Sequence, residues 1–250
     1  MLRGDDLTVC RVPKSGSTTM ERTLVGAGLA RVLPGPSHAW LDDLPRTGRT
    51  LSSVRHPVDW HRSHFWHWLR ARGAGGADRL DHWTCDRTDC DDVAGTWARY
   101  VSGATGPARA GVSLDEWPDV AAWPKIAGQD PPGRWMADRG AGLLTWAYVH
   151  HHYPRECWGW SVADLIERHD ERAIPSAFID ADQMSAGLAE VAEAWGWPAL
   201  EIETVNVAPP KPEGLAVTDA QRGAILEAER LVLAVHPWGV MPAVRWMRSP

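Results

Sequence analysis

Twice in this chain a short apolar run breaks into a polar, turn-forming loop that opens a helical pattern, and this repetition restricts the fold more than any other feature. Leu7 to Val12 has the length of a buried strand and runs directly into the loop Pro13 to Thr19, whose residues are Pro-Lys-Ser-Gly-Ser-Thr-Thr. Residues 18–29 then place Met20, Leu24 and Ala27 on one helical face, and the glycines at 26 and 28 mark its end. Thr50 to Val54 repeats the layout: a strand stopped by Arg55, His56 and Pro57, with Val58 to Leu69 helical behind it. Ile174 to Ile179 reads as a third core strand, and from Asp182 onward Met184, Leu188, Val191 and Trp195 recur at helical spacing. Alternation of this kind predicts an α/β domain, a mostly parallel sheet covered by helices on both faces, with ligands held at the carboxyl ends of the strands.

The remaining chain fills in around that frame. Residues 71–140 are rich in Gly, Pro, Asp and Trp with interrupted periodicity, so they read as an insertion of short helices and loops, a lid or acceptor-binding region. Helices are expected near 141–151 and 161–169, the second capped by Ser161. Pro209 to Pro212 reads as a rigid loop, and Ile225, Ala228, Leu231, Val232 and Val235 share one face of a C-terminal helix. At 250 residues the chain fits a single domain from 1 to 250 that carries this insertion.

Charge and composition exclude several classes of partner. A formal net charge of -6 carries no broad cationic surface for nucleic acid or another polyanion, so any anion site must be local. No apolar run reaches the roughly 20 residues of a membrane-spanning helix, and the N-terminus turns acidic at Asp5 and Asp6 before a signal-like segment begins, which points to a cytoplasmic protein. Four cysteines, Cys10, Cys85, Cys90 and Cys157, are too sparse for a disulfide framework. Cys85 and Cys90 could hold zinc with His82 or close a local disulfide, but a structural zinc needs four ligands, and the reading here is ordinary thiols in a solvated loop. With 16 Trp against 3 Tyr and 2 Phe, indoles must supply most of the aromatic core, and several in one region could wall an acceptor pocket.

The two loops carry the chemistry. A strand feeding a glycine-containing loop and a helix start offers clustered backbone N–H groups and the positive end of a helix dipole, which together cradle an anion. Pro13 to Thr19 has that layout, but Lys14 precedes Gly16, whereas the usual P-loop sets its lysine just before the helix and adds a magnesium ligand. Arg55 sits at a strand end and Ser63 two turns into the following helix, a guanidinium and a hydroxyl suited to a terminal phosphate.

Together these segments resemble the PAPS-dependent sulfotransferase family. Val12 to Thr19 is similar to its 5′-phosphosulfate loop, and Val54 to Ser63 to its 3′-phosphate motif, in the same order. Phe178 to Met184 is similar to a later strand-to-helix segment, and Asn206 to Ala208 to a late asparagine loop. The resemblance implies a three-layer, P-loop NTPase-like sulfotransferase fold, with 3′-phosphoadenosine 5′-phosphosulfate (PAPS) as sulfuryl donor and 3′,5′-adenosine bisphosphate (PAP) as product. It implies that Lys14, Ser15, Gly16, Ser17, Thr18 and Thr19 hold the phosphosulfate and that Arg55 and Ser63 hold the 3′-phosphate. Thr19 stands where the small-molecule branch usually has Trp, and no C-terminal Arg-Lys-Gly segment follows, so the bacterial and membrane-type branch is closer and the adenine-stacking group is open.

The expected acceptor is a hydroxyl on a carbohydrate or small molecule, less readily an amine. Lys14 is expected to neutralise the leaving phosphate oxygen, and the scheme requires no metal. A base must take the acceptor proton. His38 is favoured by its place between the two ligand motifs, where related enzymes often carry their base, with His61, His64 and Glu21 as alternatives. The run His150 to His152 suggests metal binding, but consecutive helical histidines diverge, and it reads as a structural or solvated cluster. Two other functions compete: a magnesium-dependent kinase or hydrolase of the P-loop type, and a non-catalytic nucleotide-binding module.

Overall fold

A computed structural model describes residues 2–3, 6–12, 14–32, 48–73, 92–105, 132–202 and 215–248. The chain gathers into two compact units. One comprises Met1–His56, Ala147–Asn206 and Leu233–Pro250, and the other Pro57–Trp146 and Val207–Val232.

The first unit holds a six-stranded sheet. Its strands are β1 (Leu2–Arg3), β2 (Leu7–Val9), β3 (Arg31–Val32), β4 (Arg49–Val54), β5 (Ala177–Asp180) and β6 (Val244–Trp246), in the order β3-β1-β2-β4-β5-β6. The three central strands run parallel, with Val9 opposite Leu51 and Val54 opposite Asp180. The edges are antiparallel: β1 and β3 on one side, β6 on the other. The central strands are those expected from the apolar runs. The edge strands, of two or three residues each, were not.

Alternation along the strands sorts the two faces. Leu7, Val9, Leu51, Ala177, Ile179 and Val244 join one aliphatic core, closed by Met20 and Leu24 of α1 (Ser17–Gly26) and by Met184, Leu188 and Val191 of the helix Met184–Ala194. Gly187 allows the second of these helices to lie close, because a Cβ there would stand 2.9 Å from the Ala243 carbonyl oxygen. The opposite face is aromatic and polar. Phe178 stacks on Tyr148 and meets the edges of His152 and His236, while Ser52 shares a 2.8 Å hydrogen bond with Nε2 of His152.

In the second unit lie α2 (Pro57–Gly73), α3 (Val93–Thr105) and α4 (Pro132–Arg139), and α5 (Leu143–His152) begins there. Short helices α6 (Val162–Glu167) and α7 (His169–Arg172) belong to the first unit and precede β5, and α8 is the helix Met184–Ala194. Ser161 caps α6 in a reciprocal capping box with Asp164, as expected. The continuous C-terminal helix is a correction: two helices form instead, α9 (Asp219–Ala228) and α10 (Arg230–Val235). Its five apolar residues are all buried, but the run breaks at Glu229.

Glu229 stands at the break, with φ -101° and ψ 24°. Fully buried, its carboxylate accepts hydrogen bonds from the backbone N–H groups of Leu144 and Thr145 at 3.1 and 2.6 Å and from the Thr145 hydroxyl at 2.7 Å, capping the start of α5. Nε2 of His61 adds a fourth contact at 2.8 Å. Gly142 is required beside it, because any Cβ would overlap the carboxylate. Tyr100 extends the network, its hydroxyl lying 3.2 Å from His61 Nδ1 and 3.0 Å from His64 Nδ1.

Among the described residues no helix is long and apolar enough to cross a membrane. The Asn206 and Pro209 to Pro212 segments, and much of the 71–140 stretch, lie outside the described residues.

Candidate functional site

The loop after β2 turns tightly into α1. Lys14 adopts φ 62°, making it the only non-glycine in the left-handed region among the described residues, and Gly16 follows with φ 79°. Gly16 is the N-cap of α1, and no side chain caps the helix there. A helix start without a side-chain cap presents its positive dipole end, the arrangement that suits an anion.

Two contacts fix this loop. Ser15 is buried, and its hydroxyl donates to the Val12 carbonyl at 2.8 Å; the Ser53 hydroxyl of β4, 3.0 Å away, must then donate to Ser15. The Ser15 side chain is therefore committed to the loop's own architecture, which leaves only its backbone for a ligand. Gly16 packs against the turn behind β5: a Cβ there would lie 2.8 Å from Met184 Cε and 3.5 Å from Ala181 Cβ.

Arg55 leaves the carboxyl end of β4, beside that turn. Its Nη1 donates to the Lys14 carbonyl at 3.5 Å and its Nη2 reaches Asp182 Oδ1 at 3.4 Å, while its Nε is buried without a hydrogen-bond partner. Lys14, Gly16, Arg55 and the 181–184 turn thus form one cluster at the carboxyl ends of three adjacent parallel strands. Ser17 is buried, and Thr18 and Thr19 are half-buried in the first turn of α1.

Asp180, at the end of β5, has its carboxylate engaged locally. It accepts from the Asp182 N–H at 3.0 Å and from Gln183 Nε2 at 3.1 Å, starting the short 3-10 turn Ala181–Gln183. Cys10, just before the loop, is a buried free thiol that burial pushes up to about 12, so it stays protonated and unreactive at neutral pH.

Ser63 is half-buried on α2 in the second unit, whereas Arg55 belongs to the first. His38 lies outside the described residues, as do His82, Cys85 and Cys90. His61 and His64 are corrections to the set of alternative bases: both are fully buried and bonded to Tyr100, so neither can meet an acceptor in this conformation. Glu21 is paired with Arg11 at 2.7 Å and is only slightly exposed.

His150, His151 and His152 are all buried, which settles their reading as structural and not solvated. Among the described residues no group of three or more His, Cys, Asp or Glu side chains is arranged to hold a metal ion.

Sequence reasoning missed Asp182. It fell within the faint match of Phe178 to Met184, and an acidic residue at the start of a helical pattern reads as an ordinary first-turn carboxylate. Its contact with Arg55 depends on β4 and β5 being neighbours, which no local pattern reveals. Compared with protein-family models, curated proteins and solved structures, the chain matches none.

Proposed function

We propose that this chain is a PAPS-dependent sulfotransferase of the P-loop NTPase-like, three-layer α/β/α fold, acting on a hydroxyl of a carbohydrate or small-molecule acceptor. One observation carries the reading: the Arg55 guanidinium reaches the Lys14 carbonyl, so the two phosphate-binding motifs recognised in the sequence meet at the ends of neighbouring strands. A bisphosphorylated nucleoside needs two anion sites side by side.

The loop fits a phosphosulfate group on its own terms. Gly16 turns the chain into α1 with a positive φ, and α1 starts without a side-chain cap. The donor supplies an activated sulfuryl group. Backbone N–H groups at Ser17, Thr18 and Thr19 bind its 5′ end, and the Lys14 ammonium offsets negative charge developing on the leaving oxygen. Arg55 holds the 3′-phosphate. His38 accepts the proton released by the acceptor hydroxyl.

The occupancy of Asp180 favours this reading over a magnesium-dependent kinase or hydrolase. In P-loop NTPases a strand-end aspartate helps hold the metal, and here that carboxylate caps a 3-10 turn. Free thiols at Cys10 and Cys157 suit a reducing, cytoplasmic setting.

The test is thermal denaturation with PAP compared against magnesium ATP, followed by transfer of labelled sulfuryl groups to a panel of hydroxylated acceptors. A ligand at 100 times its Kd adds about 2.7 kcal/mol to stability, so PAP must raise Tm clearly. A response to magnesium ATP alone overturns the assignment.

A further inference from the structure

The anion-binding face of Arg55 already carries an anion. Arg55 and Asp182 leave adjacent parallel strands whose last residues, Val54 and Asp180, stand opposite one another, and their side chains meet at 3.4 Å. Nε of Arg55 is buried, so a solute can approach only through the two Nη groups. One of these contacts the Lys14 carbonyl, a backbone group fixed by the loop; the other contacts the Asp182 carboxylate. Both side chains remain open to solvent, at 31% exposure for Arg55 and 53% for Asp182.

Asp182 can leave without disturbing the turn. Its backbone N–H is what the Asp180 carboxylate holds, so the local fold does not depend on where its own side chain points. A phosphate reaching the Nη groups brings a second negative charge close to the Asp182 carboxylate, and like charges at that range repel.

Resting on the donor reading above, we infer that Asp182 is a resident competitor for Arg55. It occupies the guanidinium in the empty site, swings out when a nucleotide phosphate binds, and returns as the product leaves. The carboxylate keeps product affinity moderate and speeds release, a step that limits turnover in many enzymes. The Arg55 charge is neutralised between turnovers without the site collapsing.

Asp182→Asn removes the charge and preserves the shape. Titration calorimetry with PAP, and separately with pyrophosphate, is expected to show binding about three- to tenfold tighter in Asp182→Asn than in the native chain, with the gain in slower dissociation. Asp182→Ala should move the same way, and in an Arg55→Ala background the Asp182→Asn effect should vanish. Unchanged or weaker binding in Asp182→Asn overturns the inference, because a carboxylate that merely orients Arg55 would lose affinity on removal. If PAP fails to bind the native chain the donor reading falls, and the pyrophosphate arm still reads Asp182 directly. Absence of pyrophosphate binding to both native chain and variant also overturns the inference.

Discussion

Arg55 donates to the carbonyl of Lys14 across 3.5 Å, so the residue that follows β4 braces the single left-handed, side-chain-bearing position among the described residues. A non-glycine in that region costs roughly 1–2 kcal/mol, and such strain survives only where neighbours enforce it. The brace makes Lys14 the place to probe both conformation and chemistry.

Two substitutions at Lys14 separate those roles. Lys14→Ala and Lys14→Gly should both lower sulfuryl transfer about 100-fold or more, the effect of losing one preorganised charge at the leaving group. In urea denaturation Lys14→Gly should be more stable than Lys14→Ala by about 1 kcal/mol, because glycine adopts φ 62° without strain. Turnover near the native rate in either variant removes Lys14 from the mechanism.

Gly16→Ala is expected to destabilise the chain by about 1–3 kcal/mol. The cost combines a positive φ with a new Cβ lying 2.8 Å from Met184 Cε, and the flexible methionine end relieves only the second part. Chemical denaturation measures it directly, and PAP affinity should fall in parallel because the same residue shapes the start of α1.

Glu229→Ala should cost about 3–5 kcal/mol in chemical denaturation. The substitution strands the Leu144 and Thr145 N–H groups and leaves buried His61 without its carboxylate. Combining it with His61→Ala should cost less than the sum of the single changes, because the two share one network. Strict additivity would mean that His61 and Glu229 do not interact.

Acid should weaken the first unit through three histidines. Burial holds His152 and His236 well below 6.5 and draws His169 down to about 4. When folded, each binds its proton less readily than in the unfolded chain, so its stabilisation is complete above about pH 6.5 and declines as pH falls toward the folded value. For His169 the full loss is of order 3 kcal/mol by about pH 4. Denaturation midpoints measured between pH 7 and pH 4 should fall steeply in the native chain and less steeply in His169→Phe; equal slopes would exclude His169 as a contributor.

The parallel core of the sheet was legible because each of its strands runs into a loop and then a periodic helix, and both links of that pattern are local. The place of the loop between strand and helix followed from the same source, whereas the left-handed conformations of Lys14 and Gly16 appear only in the structure. The strands Leu2–Arg3, Arg31–Val32 and Val244–Trp246 escaped notice because two or three residues display no period. Glu229 escaped for a different reason: a glutamate within a helical pattern reads as solvent-facing, and its role in capping α5 exists only in three dimensions. His61 and His64 were offered as bases on the strength of their neighbourhood in the chain, whereas Tyr100 and Glu229, remote in sequence, turn them inward. Arg55 was found from its position after a strand, but its carboxylate neighbour came from the turn behind an adjacent strand, more than a hundred residues away.

The hydroxyl and imidazole side of the sheet acts as a key against sliding. Ser52 meets His152 on one side of β4, while Leu51 faces hydrocarbon on the other. Shifting β4 by a single residue would put the serine among aliphatic groups and the leucine against an imidazole, and every later residue would be inverted with them. Arg55 is therefore delivered to the same end of the sheet each time the chain folds, with no tolerance for an offset of even one position.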